Sequence, residues 1–260
     1  MSIWIEKSIE VANKSNYLDR LFEVYPLSPD PIRAISQTRW ERVEKSFEDK
    51  NDRQLVNELL DLELFPIKDS YVSFLRKSRG AISANPNTVS RIAKSLYEMG
   101  LEDIWDRATA PKETNRQIGP LFRRWLQMNS LGVAMIESET HFLNSKENCM
   151  LNLGDAALKV FAEVHLGYNL DKGLDLVCKF NGKYVLGEAK FLTDFGGHQN
   201  AQLEDAMRLA NHTSTRYITV AILDGVLYLP GRNKMSRIVN NAQDCNIVSS
   251  LLLREFLDQI

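Results

Sequence analysis

The sequence predicts an α/β (α+β) protein: a central mixed β-sheet flanked by helices, preceded by an all-helical N-terminal region. Three observations lead there. Helical periodicity broken by Pro and Gly fills the first half, β-rich runs alternate with helical ones after Leu131, and Asn181-Gly182 joins two β-rich runs as a hairpin turn. The corresponding regions are 1–130, helical, and 131–260, mixed α/β. With 260 residues and 44% hydrophobic content, the chain can bury one large core or two smaller ones.

In the helical region, Tyr17, Leu18, Leu21 and Phe22 mark one helical face. Pro26, Pro29 and Pro31 punctuate the chain, with Asp30-Pro31 read as N-cap and first helical residue. The run 32–61 reads as two amphipathic helices with a break near Asn51-Asp52, closed off by Pro66. Tyr71, Val72, Phe74 and Leu75 start another helix that stops at Arg79-Gly80. Asn85-Pro86-Asn87-Thr88 is a turn and cap, followed by a helix with Val89, Ile92, Ala93, Leu96 and Tyr97 inward and Gly100 past its end. This stretch has a helix-turn-helix appearance, although ordinary bundle packing gives the same pattern and outweighs a groove-reading helix.

In the mixed region, 153–167 reads as a helix with Leu153, Ala156, Ala157, Val160, Phe161 and Val164 as its apolar stripe. Strands follow at 173–180 and 183–191, then a polar loop, a helix over 198–212 and a buried strand over 217–223. Asp224-Gly225 is expected to turn the chain into a strand over 226–229, ended by Pro230. Ile247-Val248 is a short last strand, and Ser249 caps a final helix.

The hairpin carries the chemistry. Counting back from the Asn-Gly turn, Phe180 opposes Lys183 and Asp175 opposes Glu188, while Lys190, two residues on, shares the face of Glu188. Opposed carboxylates repel unless a cation lies between them, so the pattern predicts a metal-dependent active site. A hard ion such as Mg2+ takes oxygen ligands, here the Asp175 and Glu188 carboxylates with the Ala189 carbonyl as a third. Lys190 would orient or deprotonate an attacking water, or stabilise developing negative charge. Glu48-Asp49-Lys50 has the same Glu-x-Lys spelling, but it stands in a solvated helical stretch with no partner acid. The bland reading, a hairpin with ordinary solvated charges, leaves Lys190 with no packing reason on a half-buried strand.

No apolar run approaches the roughly 20 residues that span a bilayer, and residues 1–7 lack the order of a signal peptide. Three cysteines (Cys149, Cys178, Cys245) without a Cys-x-x-Cys pair argue against a disulfide framework or structural zinc and fit a reducing cytoplasm. Net charge is −2, yet 70–127 holds ten Lys/Arg against five Asp/Glu. That excess suits a nucleic-acid surface or ordinary solvated helix faces equally.

At the hairpin the chain resembles the PD-(D/E)XK nuclease superfamily. Glu188-Ala189-Lys190 matches its (D/E)-x-K element, and Gly173-Leu174-Asp175 stands where the family often has Pro-Asp. The order of elements over 153–248 is similar to its restriction-endonuclease-like core of helix, β-meander, second helix and further strand. The family often carries an extra acid on its first core helix, and Glu163 is the matching residue. The strings 187–200 and 115–122 are similar to type II restriction endonucleases. The resemblance implies Mg2+-dependent, sequence-specific hydrolysis of double-stranded DNA leaving 5′-phosphates, usually by a homodimer. It also implies that 1–130 is a DNA-recognition region and 131–260 the catalytic core. A structure-selective or repair nuclease on the same core is the alternative. A non-catalytic DNA-binding regulator is a weaker one, because a binder gains nothing from opposed carboxylates.

Two stretches are candidate DNA contacts. The polar run 111–120 and the segment after it supply Lys112, Asn115, Arg116, Gln117, Arg123 and Arg124, where Arg and Gln suit base edges and Lys or Arg suits phosphates. An exposed connector is the other reading of that run. The loop after the catalytic strand supplies Thr193, Asp194, Gly196, Gly197, His198, Gln199, Asn200 and Gln202, with Gly196-Gly197 allowing close approach to a phosphate. His198 stands equally as a helix-capping residue. The other histidines, at 141, 165 and 212, have no ligand spacing.

Overall fold

The structure is a computed structural model describing residues 2–26, 32–111, 118–231, 233–242 and 245–260. Two compact units divide the chain: Met1–Leu27 with Thr114–Ile260, and Ser28–Glu113. The units are interleaved in sequence, so their limits differ from consecutive regions 1–130 and 131–260. The N-terminal helices α1 (Ile3–Ala12) and α2 (Tyr17–Val24) belong with the sheet.

The unit Ser28–Glu113 is all-helical: α3 (Gln37–Glu48), α4 (Asp52–Leu60), α5 (Val72–Lys77), α6 (Gly80–Ala84), α7 (Pro86–Met99) and α8 (Leu101–Thr109). Its first helix starts at Gln37 and not just after Pro31, a residue outside those described, because 32–36 is irregular. The expected break is present, with the Asn51 side chain accepting from the Gln54 N–H (3.1 Å) as the N-cap of α4. Val43, Leu55, Leu59, Ile92, Leu96 and Ile104 form the core.

The other unit continues with α9 (Ile118–Gln127), β1 (Ala134–Ile136), α10 (Glu139–Asn144), β2 (Cys149–Leu151), α11 (Asp155–Phe161), β3 (Leu176–Phe180) and β4 (Lys183–Leu192). Then come α12 (Gly197–Ala210), β5 (Tyr217–Gly225), α13 (Lys234–Asn241), β6 (Ile247–Val248) and α14 (Leu253–Asp258). The six strands form one mixed sheet in the order β1 to β6; β2–β3 and β3–β4 are antiparallel, the other pairs parallel. One face, with Leu176, Cys178, Val185 and Ile222, packs on α2, α9 and α14. The other carries Val177 and Leu186 against α11, and Ala221 and Leu223 against α12 and α13. This mixed α/β architecture is compatible with a restriction-endonuclease-like core.

Several local expectations are corrected. On α2 only Tyr17, Leu21 and Val24 are buried, while Leu18 and Phe22 are exposed. The 153–167 helix is α11 continued by a π-helical turn over Ala162–Leu166, and it buries Leu158, Phe161, Ala162 and Leu166. Ala156, Ala157, Val160 and Val164 of the expected stripe are exposed instead, so the buried face is already rotated before the wide turn begins. The expected strand over 226–229 is a 3-10 turn, Val226–Tyr228. Gly225 (φ 99°) lies so close to the Leu192 carbonyl that a Cβ would stand 2.1 Å from its oxygen, and the chain folds over there instead of pairing again. Ser249 caps a 3-10 turn, Ser250–Leu252, that leads into α14.

Candidate active site

Asn181 and Gly182 both take positive φ (49° and 77°), as a type I′ turn requires. The turn sets the register from Phe180 opposite Lys183 to Leu176 opposite Gly187, the pairing that the sequence count demands. Asp175 lies one residue before the paired strand. Its N–H donates to the Gly187 carbonyl (2.9 Å) and its carboxylate accepts from the Ala189 N–H (2.8 Å). Asp175 therefore hooks over β4 at Glu188 without standing in a ladder pair with it. A strand residue directs its N–H and C=O to the same edge, so the Ala189 carbonyl also faces the Asp175 side, beyond the end of β3.

Glu188 is buried. Its Oε1 lies 2.7 Å from Lys190 Nζ, and its Oε2 is buried with no hydrogen-bond partner among the described residues. Lys190 stays partly open to solvent. Burial pushes the Asp175 carboxyl above the usual carboxylate range; the Ala189 N–H and Lys190 oppose that shift, Glu188 adds to it, and Arg123 opposes it. A buried carboxylate oxygen without a donor is costly in an apoprotein, and hard oxygens left open in this way suit a divalent cation. The residues present thus fit such an ion.

Glu163 is not drawn into this pair. It sits on the π-helical turn, half exposed, 3.7 Å from Lys159, which also holds Asp171 (2.8 Å). Among the described residues, no three His, Cys, Asp or Glu side chains converge as a metal-holding group.

The candidate DNA contacts divide. Lys112, Asn115, Arg116 and Gln117 lie outside the described residues. Arg123 is brought close: it pairs with Asp155 at the start of α11, and its charge acts on Asp175. Arg124, next on α9, is exposed. After β4, Gln199 is buried and turned inward, donating to Thr193 Oγ1 (3.1 Å) and accepting from the Thr193 N–H (3.4 Å), so it holds the loop in shape. Asp194 accepts from the Gly196 N–H (2.5 Å), and Asn200 donates to the Phe195 carbonyl (3.1 Å). Gly197 and His198 open α12, and exposed His198 lies 3.0 Å from the Gln202 amide nitrogen.

Two neighbours of the site, and one buried lysine further along β3, had no signal in the sequence, because each depends on contacts across the fold. Asp205 on α12 binds Lys172 (2.5 Å), shortly before Asp175. That hydrogen bond holds the Asp205 carboxyl below its usual range, with Arg208 and Lys190 adding to the effect. Tyr168 is buried, and its hydroxyl has no hydrogen-bond partner among the described residues; burial, then the charge of Glu188, pushes its phenol up. Lys179, on the sheet face of Asp175, is buried and donates to the carbonyls of Phe142 (3.0 Å), Leu143 (3.0 Å) and Ser145 (2.8 Å) at the end of α10.

The family model for the Tsp45I type II restriction enzyme matches residues 2–260, all of the chain but its first residue. No curated protein and no solved structure matches the chain.

Proposed function

Because the chain belongs to the Tsp45I type II restriction enzyme family, we propose that it is a Mg2+-dependent endonuclease of the PD-(D/E)XK type that hydrolyses double-stranded DNA at a specific sequence and leaves 5′-phosphates. The observation that carries the chemistry is the unpartnered Glu188 oxygen beside Asp175 and Lys190.

Asp175, Glu188 and the Ala189 carbonyl would hold the ion. When bound, it lowers the pKa of a coordinated water and offsets charge on the scissile phosphate. Glu188 Oε1 fixes Lys190 Nζ at 2.7 Å, leaving its remaining N–H groups for a phosphate oxygen or for the attacking water. Asp175, tied by the Ala189 N–H, keeps its carboxylate aimed at the same point. Arg123 and Arg124 on α9, with Lys112, Asn115, Arg116 and Gln117 before them, would meet DNA. So would the loop from Thr193 through Asp194, Gly196, Gly197 and His198 to Asn200 and Gln202. Each chain offers one such site among its described residues and a duplex has two strands, which favours a homodimer. Among the described residues no helix is long and apolar enough to cross a membrane. Three buried free cysteines suit a cytoplasmic location.

Digestion of a plasmid of known sequence tests the reading. Discrete fragments with 5′-phosphate ends are expected in Mg2+. Asp175→Ala or Lys190→Ala should abolish cutting while binding to the mapped site persists in Ca2+. Undiminished cutting by Asp175→Ala would sink the site assignment, and products dependent on nicks or flaps would favour a repair nuclease.

A further inference from the structure

The helical unit Ser28–Glu113 contains none of the residues of the Asp175 site, and its charge is unevenly spread. The stretch 68–94 holds six Lys/Arg and a single acid, Asp69; the rest of the unit holds eight Lys/Arg against fourteen Asp/Glu. On the basic side α5 buries Val72 and Leu75 and turns Tyr71 and Phe74 outward, 59% and 65% exposed. Spaced i, i+3, the two rings share one side of the helix, and Lys77 continues it.

The one acid of the stretch is neutralised within it, and two of its cations are paired by acids from outside it, Arg79 with Asp61 (2.5 Å) and Lys94 with Glu98 (3.9 Å), so the excess rests on Lys68, Arg76 and Lys77. Arg91, from α7, pairs with Asp69 (2.7 Å) and lies over the Tyr71 ring (5.7 Å), which ties the two helices together. Lys68 and Lys77 make no ion pair among the described residues. Arg76 donates to the Leu62 and Glu63 carbonyls, which leave its charge in place.

We propose that this face, α5 with the first half of α7, is a duplex-DNA contact surface. Lys68, Arg76 and Lys77 meet phosphates, and Tyr71 and Phe74 pack against sugars and base edges. A large exposed aromatic pair on its own would suit a protein partner. A one-signed charge excess set among serines and asparagines (Ser70, Ser73, Asn87, Ser90) suits a polyanionic backbone instead, since the centre of a protein interface is depleted of charge. The inference rests on the restriction-enzyme reading and adds to it a surface outside the hairpin unit.

Fluorescence anisotropy of the full chain in Ca2+ on a labelled duplex bearing the mapped cleavage site tests it. Lys68→Gln with Lys77→Gln should weaken binding about tenfold and make the slope of log affinity on log salt shallower by about 0.9 per lysine. Tyr71→Ser with Phe74→Ser should weaken binding with the salt slope unchanged, because apolar contacts release no counterions. All four side chains are exposed, so the melting temperatures should change little, by no more than the loss of the Arg91–Tyr71 contact in the serine variant. Parental affinity and slope in both double variants, with the parent cutting normally, overturns this surface and leaves the nuclease reading standing. A parent that neither binds nor cuts duplex overturns both. Unchanged DNA affinity with loss of self-association in the serine variant gives the face to a protein partner, and overturns the proposal as well.

Discussion

Two buried acids stand on neighbouring parallel strands, Glu188 on β4 and Asp224 on β5, and their surroundings differ. Glu188 is in register with Ala221, three residues before Asp224, so alternation puts the two acids on opposite faces of the sheet. Asp224 accepts from Ser249 Oγ (2.6 Å), Tyr25 Oη (3.0 Å), the Ser250 N–H (3.2 Å) and Tyr17 Oη (3.4 Å). Glu188 has a lysine at one oxygen and, among the described residues, no donor at the other. Burial alone therefore does not mark a functional acid. The fully satisfied carboxylate ties α2 and the 249–250 turn to the sheet, whereas the half-satisfied one is left open to a ligand.

Exchanging each acid should separate the two roles. Glu188→Gln is expected to lower cleavage on the order of 10^3-fold or more. Its melting temperature should hold or rise, because a buried charge is removed. Asp224→Ala strands the donors of Tyr17, Tyr25, Ser249 and Ser250, at a cost of about 3 kcal/mol. For a chain of this size that lowers the melting temperature by roughly 6–12 °C. Cleavage per folded molecule should survive. Thermal melts and initial rates on both variants decide it, and a Glu188→Gln protein that melts early but still cuts would reverse the assignment.

A smaller effect lies in the pH dependence of stability. Burial raises the Asp224 carboxyl pKa, opposed by the hydrogen bonds from Ser249, Ser250 and Tyr25. A raised folded-state pKa means that folding takes up a proton. This group's contribution is most favourable below the unfolded value of about 3.9, declines as pH rises toward the folded value, and is flat above it. Asp69, Asp171 and Asp205, whose carboxyls are lowered by Arg91, Lys159 and Lys172, slope the other way. Subtracting the denaturation curves of Asp224→Asn from those of the parent isolates the declining component. Identical pH profiles for the two proteins would show that Asp224 titrates alike folded and unfolded.

The same contrast explains what was legible in the sequence. The hairpin was readable because Asn181-Gly182, the period-2 alternation and the Glu188–Lys190 spacing are all local. The break at Asn51 and the Pro86 helix start are local as well. Nothing local announces Asp224 as a node, since its partners come from positions 17, 25, 249 and 250. Lys179 reads as a surface charge on a strand, yet it is buried under the carbonyls that end α10. β1 and β2 have three residues each, too few for a periodic signal. The strand expected over 226–229 fails at Gly225, whose approach to Leu192 no sequence pattern reports. Interleaving of the two units escapes for the same reason: the return of α1 and α2 to the sheet is a packing event.

Glu163 gives the smallest expected effect and the sharpest test of the contrast. It matched a family position by sequence order, but its carboxylate is half exposed, pairs with Lys159 and lies outside any three-residue acid group among the described residues. An exposed i, i+4 pair contributes little, so Glu163→Gln should leave the melting temperature unchanged. Cleavage should fall by no more than a few-fold, within the range of an outer-shell change and far from the loss caused by Glu188→Gln. Glu48→Gln, on the Glu-x-Lys copy of α3, is the control and should alter neither quantity. If Glu163→Gln instead abolished cutting with DNA binding intact, this acid would have to swing from Lys159 into the site once DNA and metal are bound. An open acid pair in the free protein would then be an incomplete guide to the ligand set, and the Mg2+ concentration needed for half-maximal cleavage should rise in the same variant.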